Sequence, residues 1–133
     1  MKKIFVDTSI WIEYFKGRQA VVDMIHDIKN HEIYITGPVI AELIMGIKTQ
    51  NEKEEFSLYI SAIPKIIISD EEWIMAGRLG NLLLKKGITI SLPDLIIYSA
   101  AKKNNCAIFT LDKHFQLIKD SLRDDIEIIG IQC

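Results

Sequence analysis

Five short apolar runs constrain the fold of this chain more than any other feature of its sequence. They are Ile4–Val6, Ile33–Ile35, Ile66–Ile68, Ala107–Thr110 and Ile126–Ile129. Isoleucine dominates them, and apolar residues follow one another instead of alternating with polar ones. Strands covered by helices on both faces of a parallel sheet carry that pattern. Helical signals fill the intervals: Ser9–Phe15, Ala20–Lys29, Pro38–Lys48, Asn51–Ile63, Asp70–Lys86, Pro93–Asn104 and Lys113–Leu122. Ser69 with Glu72 has the spacing of a capping box, and Asn51 with Glu54 repeats it. Strands separated by helices imply crossover connections. The expected fold is α/β, a three-layer α/β/α sandwich around a mainly parallel sheet of about five strands. In such sheets ligands sit outside the carboxyl ends of the strands.

The 133 residues suit a single domain spanning 1–133, with no repeat and no Pro/Gly/Ser linker. Two cysteines, Cys106 in an apolar segment and Cys133 at the end, exclude a disulfide framework. A reducing, cytoplasmic setting is the expectation. The opening Met1–Asp7 is too poor in apolar residues for a signal peptide, and no run reaches membrane-spanning length. With 16 Lys and Arg against 18 Asp and Glu, overall charge neither announces nor excludes a nucleic-acid partner.

Four acids stand out by their company. Asp7 ends the first apolar run and Asp112 follows the fourth. Glu42 is the only charge between Gly37 and Ile47, in a segment apolar enough to predict a buried helix. Asp94 is the only charge between Ile88 and Ala101. A buried carboxylate without a partner costs several kcal/mol. Few basic residues neighbour these acids, with Lys113 the immediate exception. A hard divalent cation, Mg²⁺ or Mn²⁺, compensates such a set through oxygen ligands. Parallel strands would bring the acids to one edge.

Each acid also has a plainer reading. Asp7 and Asp112 sit where residues introduce a helix, and Asp94 lies three after Ser91 as in a capping box. Glu42 lies too far into its helix to cap, which leaves a distant basic partner as its alternative. Thr8, Ser9 and Thr110 supply small hydroxyls beside these acids, for capping or for binding a carboxylate, water or phosphate. Lys16, Arg18, Lys85–Lys86 and Lys102–Lys103 end helices, where cations suit the macrodipole or meet phosphates. Glycine-rich nucleotide loops, zinc-ligand spacing and a recognisable Ser-His-Asp or Cys-His set are missing.

Four segments in order resemble one known family. They are Val6–Ile12, Ile40–Leu43 with Gly46, Leu92–Ile97 with Ala100–Ala101, and Phe109–Phe115. Together they resemble the PIN domain, and more narrowly the VapC-type toxins of toxin–antitoxin pairs. The resemblance runs from Phe5 to about Ile129. It implies a metal-dependent endoribonuclease with Asp7, Glu42, Asp94 and Asp112 at the acidic metal-binding and catalytic positions. Thr110 matches the small hydroxyl position, and Thr8 with Ser9 the polar pair after the first aspartate. The family commonly has a further acid where this chain has His114. His114 is then a metal or phosphate ligand or an ordinary helix-start residue.

The resemblance further implies an RNA substrate, cleavage by water to leave a 5′-phosphate, a cognate VapB-type antitoxin and a homodimer. No membrane is implied. Ile10, Trp11, Tyr14, Phe15, Leu43–Ile47 and Asn51–Ile63 offer apolar residues for those contacts or for the core. The rival readings are a non-catalytic PIN-like module that binds RNA or protein, and a PIN nuclease that is not a toxin. A phospho-accepting receiver is disfavoured, because adjacent acids after the first run are absent.

Overall fold

The structure is a computed structural model describing residues 1–130, so Cys133 lies outside the described residues. The strands are β1 (Lys3–Val6), β2 (Glu32–Thr36), β3 (Lys65–Ile66), β4 (Ala107–Phe109) and β5 (Ile128–Ile129). They form one sheet in the order β3-β2-β1-β4-β5, with every pairing parallel. The chain builds outward from β1 through β2 to β3, then returns to the other side of β1 for β4 and β5. The reversal places a crevice at the carboxyl ends of β1 and β4. The continuous apolar runs follow from this position: Ile4, Phe5 and Val6 in β1 and Ile108 and Phe109 in β4 are essentially inaccessible. Each such side chain contributes about 1.5–3 kcal/mol by leaving water.

Both edge strands are shorter than their apolar runs. β3 stops at Ile66, and Ile67 is 85% exposed. The capping box of Ser69 and Glu72 then claims the backbone for the following helix. β5 takes only the last part of its run, although Ile126 is buried. β2 is longer than its apolar run, because Glu32 and Thr36 at its ends join ladders with β1 and β3.

Among the described residues, seven helices connect the strands: α1 (Thr8–Phe15), α2 (Gln19–Ile28), α3 (Gly37–Met45), α4 (Gln50–Ala62), α5 (Asp70–Lys85), α6 (Leu92–Lys103) and α7 (His114–Leu122). α1 packs on α2 and α3, while α6 packs on α5 and α7. The sheet and its flanking helices make the three-layer sandwich. Among the described residues, no helix is long and apolar enough to cross a membrane. α4 begins earlier than its Asn51 signal, because Thr49 Oγ1 accepts the Glu52 backbone N–H at 3.1 Å. α5 and α6 approach closely at Gly80, where an added Cβ would lie 2.8 Å from Leu95 Cδ1.

The buried-helix expectation for the Glu42 segment does not hold. Only Val39 and Leu43 of α3 are buried, Ile44 and Met45 are 54% and 86% exposed, and Glu42 is exposed. α3 packs along one side against α1 and β2. Ala41, Ile44 and Met45 form an uncovered surface.

Several charged residues serve the framework. Lys102 Nζ meets Asp124 Oδ2 at 2.8 Å, and Tyr98 donates its hydroxyl to the same oxygen at 2.8 Å. Burial opposes ionisation of Asp124, but Lys102 and Tyr98 outweigh it and hold the carboxyl below its ordinary range. Lys103 pairs with Glu71 at 2.7 Å, and Lys86 donates to the Ser121 carbonyl at 2.9 Å. These lysines are tied to the protein itself.

Candidate active site

Asp7 follows β1 directly. Its backbone N–H donates to the Phe109 carbonyl at 2.9 Å, which fixes it beside the end of β4. Its backbone stands at the entry to α1, yet its side chain makes no capping bond. The carboxylate instead turns toward β4, where Thr110 Oγ1 donates to Oδ2 at 2.8 Å and Ser9 Oγ at 3.0 Å. Each hydroxyl is then free to accept. Thr110 Oγ1 takes the Asp112 N–H at 2.9 Å, and Ser9 Oγ takes the Leu111 N–H at 3.0 Å. Two small hydroxyls thus bind the first acid to the segment that carries the last.

Asp7 is only 5% exposed. Burial pushes its pKa up, Thr110 and Ser9 oppose the shift, and the nearby Asp94 charge adds to it. The Glu42 carboxyl is also raised, first by desolvation and then by the charges of Asp7 and Asp94. The Thr8 hydroxyl faces Glu42 and favours its charged form. The contact falls short of hydrogen-bond geometry, so Thr8 Oγ1 is a buried polar atom without a bonded partner.

Asp94 lies in the first turn of α6, where its N–H reaches Ser91 Oγ at 3.5 Å. Asp112 accepts the His114 N–H at 2.9 Å, which starts α7. Ser91 thus caps α6 with its own hydroxyl, and Asp112 accepts an N–H at the start of α7. The side chains of Asp94 and Asp112 have a second relationship. His114 Nδ1 lies 3.1 Å from Asp112 Oδ1 and 3.5 Å from Asp94 Oδ2. One donor atom from each of Asp94, Asp112 and His114 falls within 4.8 Å of the others. Two of the four acids thus come within shared ligand distance together with His114. Asp7 and Glu42 stand outside that tight set and interact with Asp94 through their charges.

Among the described residues, no Lys or Arg forms an ion pair with any of the four acids. Carboxylate oxygens and one imidazole, with no thiol and with unneutralised charge, are a donor set for a hard divalent cation. Burial first, and the neighbouring carboxylates after it, raise the pKa values of Asp7 and Glu42.

Two features here had no clear sequence signal. Thr36, at the carboxyl end of β2, is fully buried with an unpartnered hydroxyl. A groove of about 210 Å³ opens beside Glu42 between α1, α3 and α4. It is assembled from three helices, and no local motif announces such a space.

The arrangement of acids around the carboxyl ends of a parallel sheet has a known family counterpart. The PIN domain matches residues 4–120, and the chain belongs to the PIN domain family. Within it, the chain is similar to proteins named as VapC ribonucleases. Ribonuclease VapC1 of Methanocaldococcus jannaschii is 29% identical over 119 residues, covering 89% of this chain and 82% of that protein. Ribonuclease VapC1 of Rickettsia felis is 27% identical, covering 87% and 90%. The same fold occurs in VapBC2 from Rickettsia felis bound to a promoter DNA fragment. There the TM-score is 0.77 at 20% identity, over 98% of this chain and 99% of that one. DNA-bound VapBC from Salmonella typhimurium gives 0.76 at 19% identity, over 98% of each chain.

Proposed function

We propose that this protein is a Mg²⁺-dependent endoribonuclease and the toxin component of a toxin–antitoxin pair. The observation that carries the reading is the Asp94–Asp112–His114 donor cluster beside buried Asp7, to which no Lys or Arg forms an ion pair among the described residues. The names of the VapC ribonucleases support the substrate class.

Asp94, Asp112 and His114 would hold a divalent cation, with Asp7 joining directly or through water. Mg²⁺ is the proposed ion and Mn²⁺ the alternative, since carboxylates and water suit both. The ion supplies charge neutralisation at the scissile phosphate and lowers the pKa of water. The chain's own groups do the rest. Ser9 and Thr110 keep the Asp7 carboxylate directed at the crevice. Glu42, exposed and with a raised pKa, orients the attacking water and accepts its proton. Water adds to phosphorus and the 3′-oxygen leaves with a proton, giving a 5′-phosphate and a 3′-hydroxyl. Thr8 Oγ1, buried and unbonded, is a donor for a phosphate oxygen.

A VapB-type antitoxin is the proposed partner, since similar structures are described as VapBC complexes. The exposed Ile44 and Met45 of α3 and Leu58 of α4 are apolar surface for such a contact. Ile10 and Trp11 are core residues and take no part in it. A homodimer is proposed as well, with the exposed Trp73, Ile74 and Leu84 of α5 as its apolar surface. This reading places the protein in the cytoplasm.

The test is total cellular RNA incubated with antitoxin-free wild type, Asp7→Asn and Glu42→Gln, in Mg²⁺, in Mn²⁺ and in EDTA. Discrete cuts that require metal and disappear in both folded variants are the expected result. Absence of cutting together with absence of divalent-ion binding by calorimetry would sink the reading in favour of a non-catalytic binding module.

A further inference from the structure

The groove beside Glu42 is lined by Ile12, Phe15, Leu43, Ile47 and Phe56 on its apolar side. Lys16 and Lys48 stand at it as cations, and Glu42, Glu52 and Glu55 as carboxylates. Glu42 belongs both to this lining and to the acidic crevice. Whatever occupies the groove is therefore adjacent to the reacting phosphate. We infer that the groove receives one unstacked nucleobase flanking the scissile phosphate, and that it favours bases carrying an exocyclic amine.

This inference rests on the ribonuclease reading. Its size is the first argument. About 210 Å³ is below the range of roughly 300–1,000 Å³ typical of drug-sized ligands, and suits a single planar base. Chemistry is the second. RNA is read in sequence where bases leave the stack, lie against aromatic side chains and hydrogen-bond along their edges. Phe15 and Phe56 meet edge to face with centroids 5.9 Å apart, and Phe56 is held in the core. They give the groove a fixed aromatic wall.

Charge is the third argument. Lys16 is 68% exposed at its side chain and lies at a weak 3.8 Å from Glu13, so it is free to meet a backbone phosphate. The carboxylates are acceptors only. Glu52 is engaged with the Lys48 backbone N–H at 3.0 Å, while Glu42 and Glu55 form no ion pair among the described residues. An acceptor-only edge matches the amino groups of guanine, adenine and cytosine. Uracil presents two carbonyls there and one ring N–H, so it is disfavoured.

The experiment uses the full chain in Mg²⁺, with GMP, AMP, CMP and UMP titrated separately and amide shifts followed by NMR. Shifts at Phe15, Gly46, Ile47 and Phe56, at least ~5-fold tighter for the amino-bearing nucleotides than for UMP, are expected. Gly46→Leu should weaken them by about tenfold, the scale of one base stacked on an aromatic side chain. That variant is compatible with the backbone, since a Cβ at Gly46 meets only the Leu43 and Glu42 carbonyls at 3.6 and 3.8 Å. Glu55→Leu should narrow the gap between AMP and UMP without moving the site.

Shifts confined to the acidic crevice, or equal affinity for all four nucleotides, would overturn the inference. RNA cleavage by the same sample separates the two proposals. Cleavage without groove shifts removes the base pocket and leaves the nuclease. Groove shifts without cleavage remove the nuclease and leave a nucleotide pocket.

Discussion

Thr110 Oγ1 donates to Asp7 Oδ2 at 2.8 Å while accepting the Asp112 N–H at 2.9 Å. One hydroxyl therefore sets the position of two acids separated by 105 residues in the chain and brought together only by the β1–β4 pairing. Thr110→Val keeps the shape and removes both bonds. It should destabilise the protein by about 1–3 kcal/mol, because a buried carboxylate and a backbone N–H each lose a partner. RNA cleavage should fall by ~10–100-fold, the usual cost of losing a group that orients metal ligands. Denaturant titration and initial cleavage rates measure the two effects, and an unchanged rate would deny Thr110 its positioning role.

Asp7 is held against its own electrostatic preference, and the metal-free fold should show it. Burial raises its folded pKa, so the native state binds more protons than the unfolded state between the two values. Its contribution to stability is therefore lost as pH rises through that window. Asp7→Asn should stabilise the metal-free protein at neutral pH by about 1–3 kcal/mol, the scale for relieving a poorly compensated buried polar group. Thermal melts in EDTA across pH 4–8, on the order of the carboxylate window, test this. The gap between variant and wild type should grow with pH.

Asp124 predicts the opposite slope. Lys102 and Tyr98 hold its folded pKa below the ordinary 3.8, despite the opposing effect of burial. Its stabilisation is complete above the unfolded pKa and disappears as pH falls through the folded one. Asp124→Asn should cost about 1–3 kcal/mol at pH 7. Wild type and variant should converge in thermal stability as falling pH protonates the folded carboxyl. A constant gap down to acid would mean that charge is not what Asp124 contributes.

Asp112 has a structural and a chemical face that a single substitution can separate. Asn at this position still accepts the His114 N–H, so the start of α7 survives. The negative charge beside Asp94 and His114 does not. Asp112→Asn should leave the melting temperature in EDTA near wild type and weaken Mn²⁺ binding by at least ~10-fold. Calorimetry on the two proteins decides it, and undiminished affinity would take Asp112 out of the ligand set.

The central strands were legible because burial on both faces leaves a continuous apolar run, as in Ile4–Val6 and Ala107–Phe109. Asp7 was legible because it interrupts that pattern at a strand end. The crossover topology then made convergence of distant acids an expectation, and the structure brings Asp94 and Asp112 together at the crevice. Local composition misled at α3, where an apolar segment signalled burial and instead forms a surface covered on one side only. Composition cannot distinguish a core from an uncovered face. The roles of Lys102 and Lys103 were equally hidden, since Asp124 and Glu71 reach them only after α6 docks. The edge strands were overestimated because pairing on one side, with the next helix signal close behind, ends a ladder early.

The place of β4 in the sheet has a consequence for synthesis. Among the described strands β4 is the fourth in sequence, yet it lies between β1 and β5 in the sheet. Residues 1–106 contain Asp7, Glu42 and Asp94 but not the strand that carries Thr110 and Asp112 to them. The crevice therefore closes only after Ala107–Asp112 are made, through a pairing that spans about a hundred residues and is slow to find. A chain that ends before Ala107 has Asp7 but not the Thr110 hydroxyl that holds it.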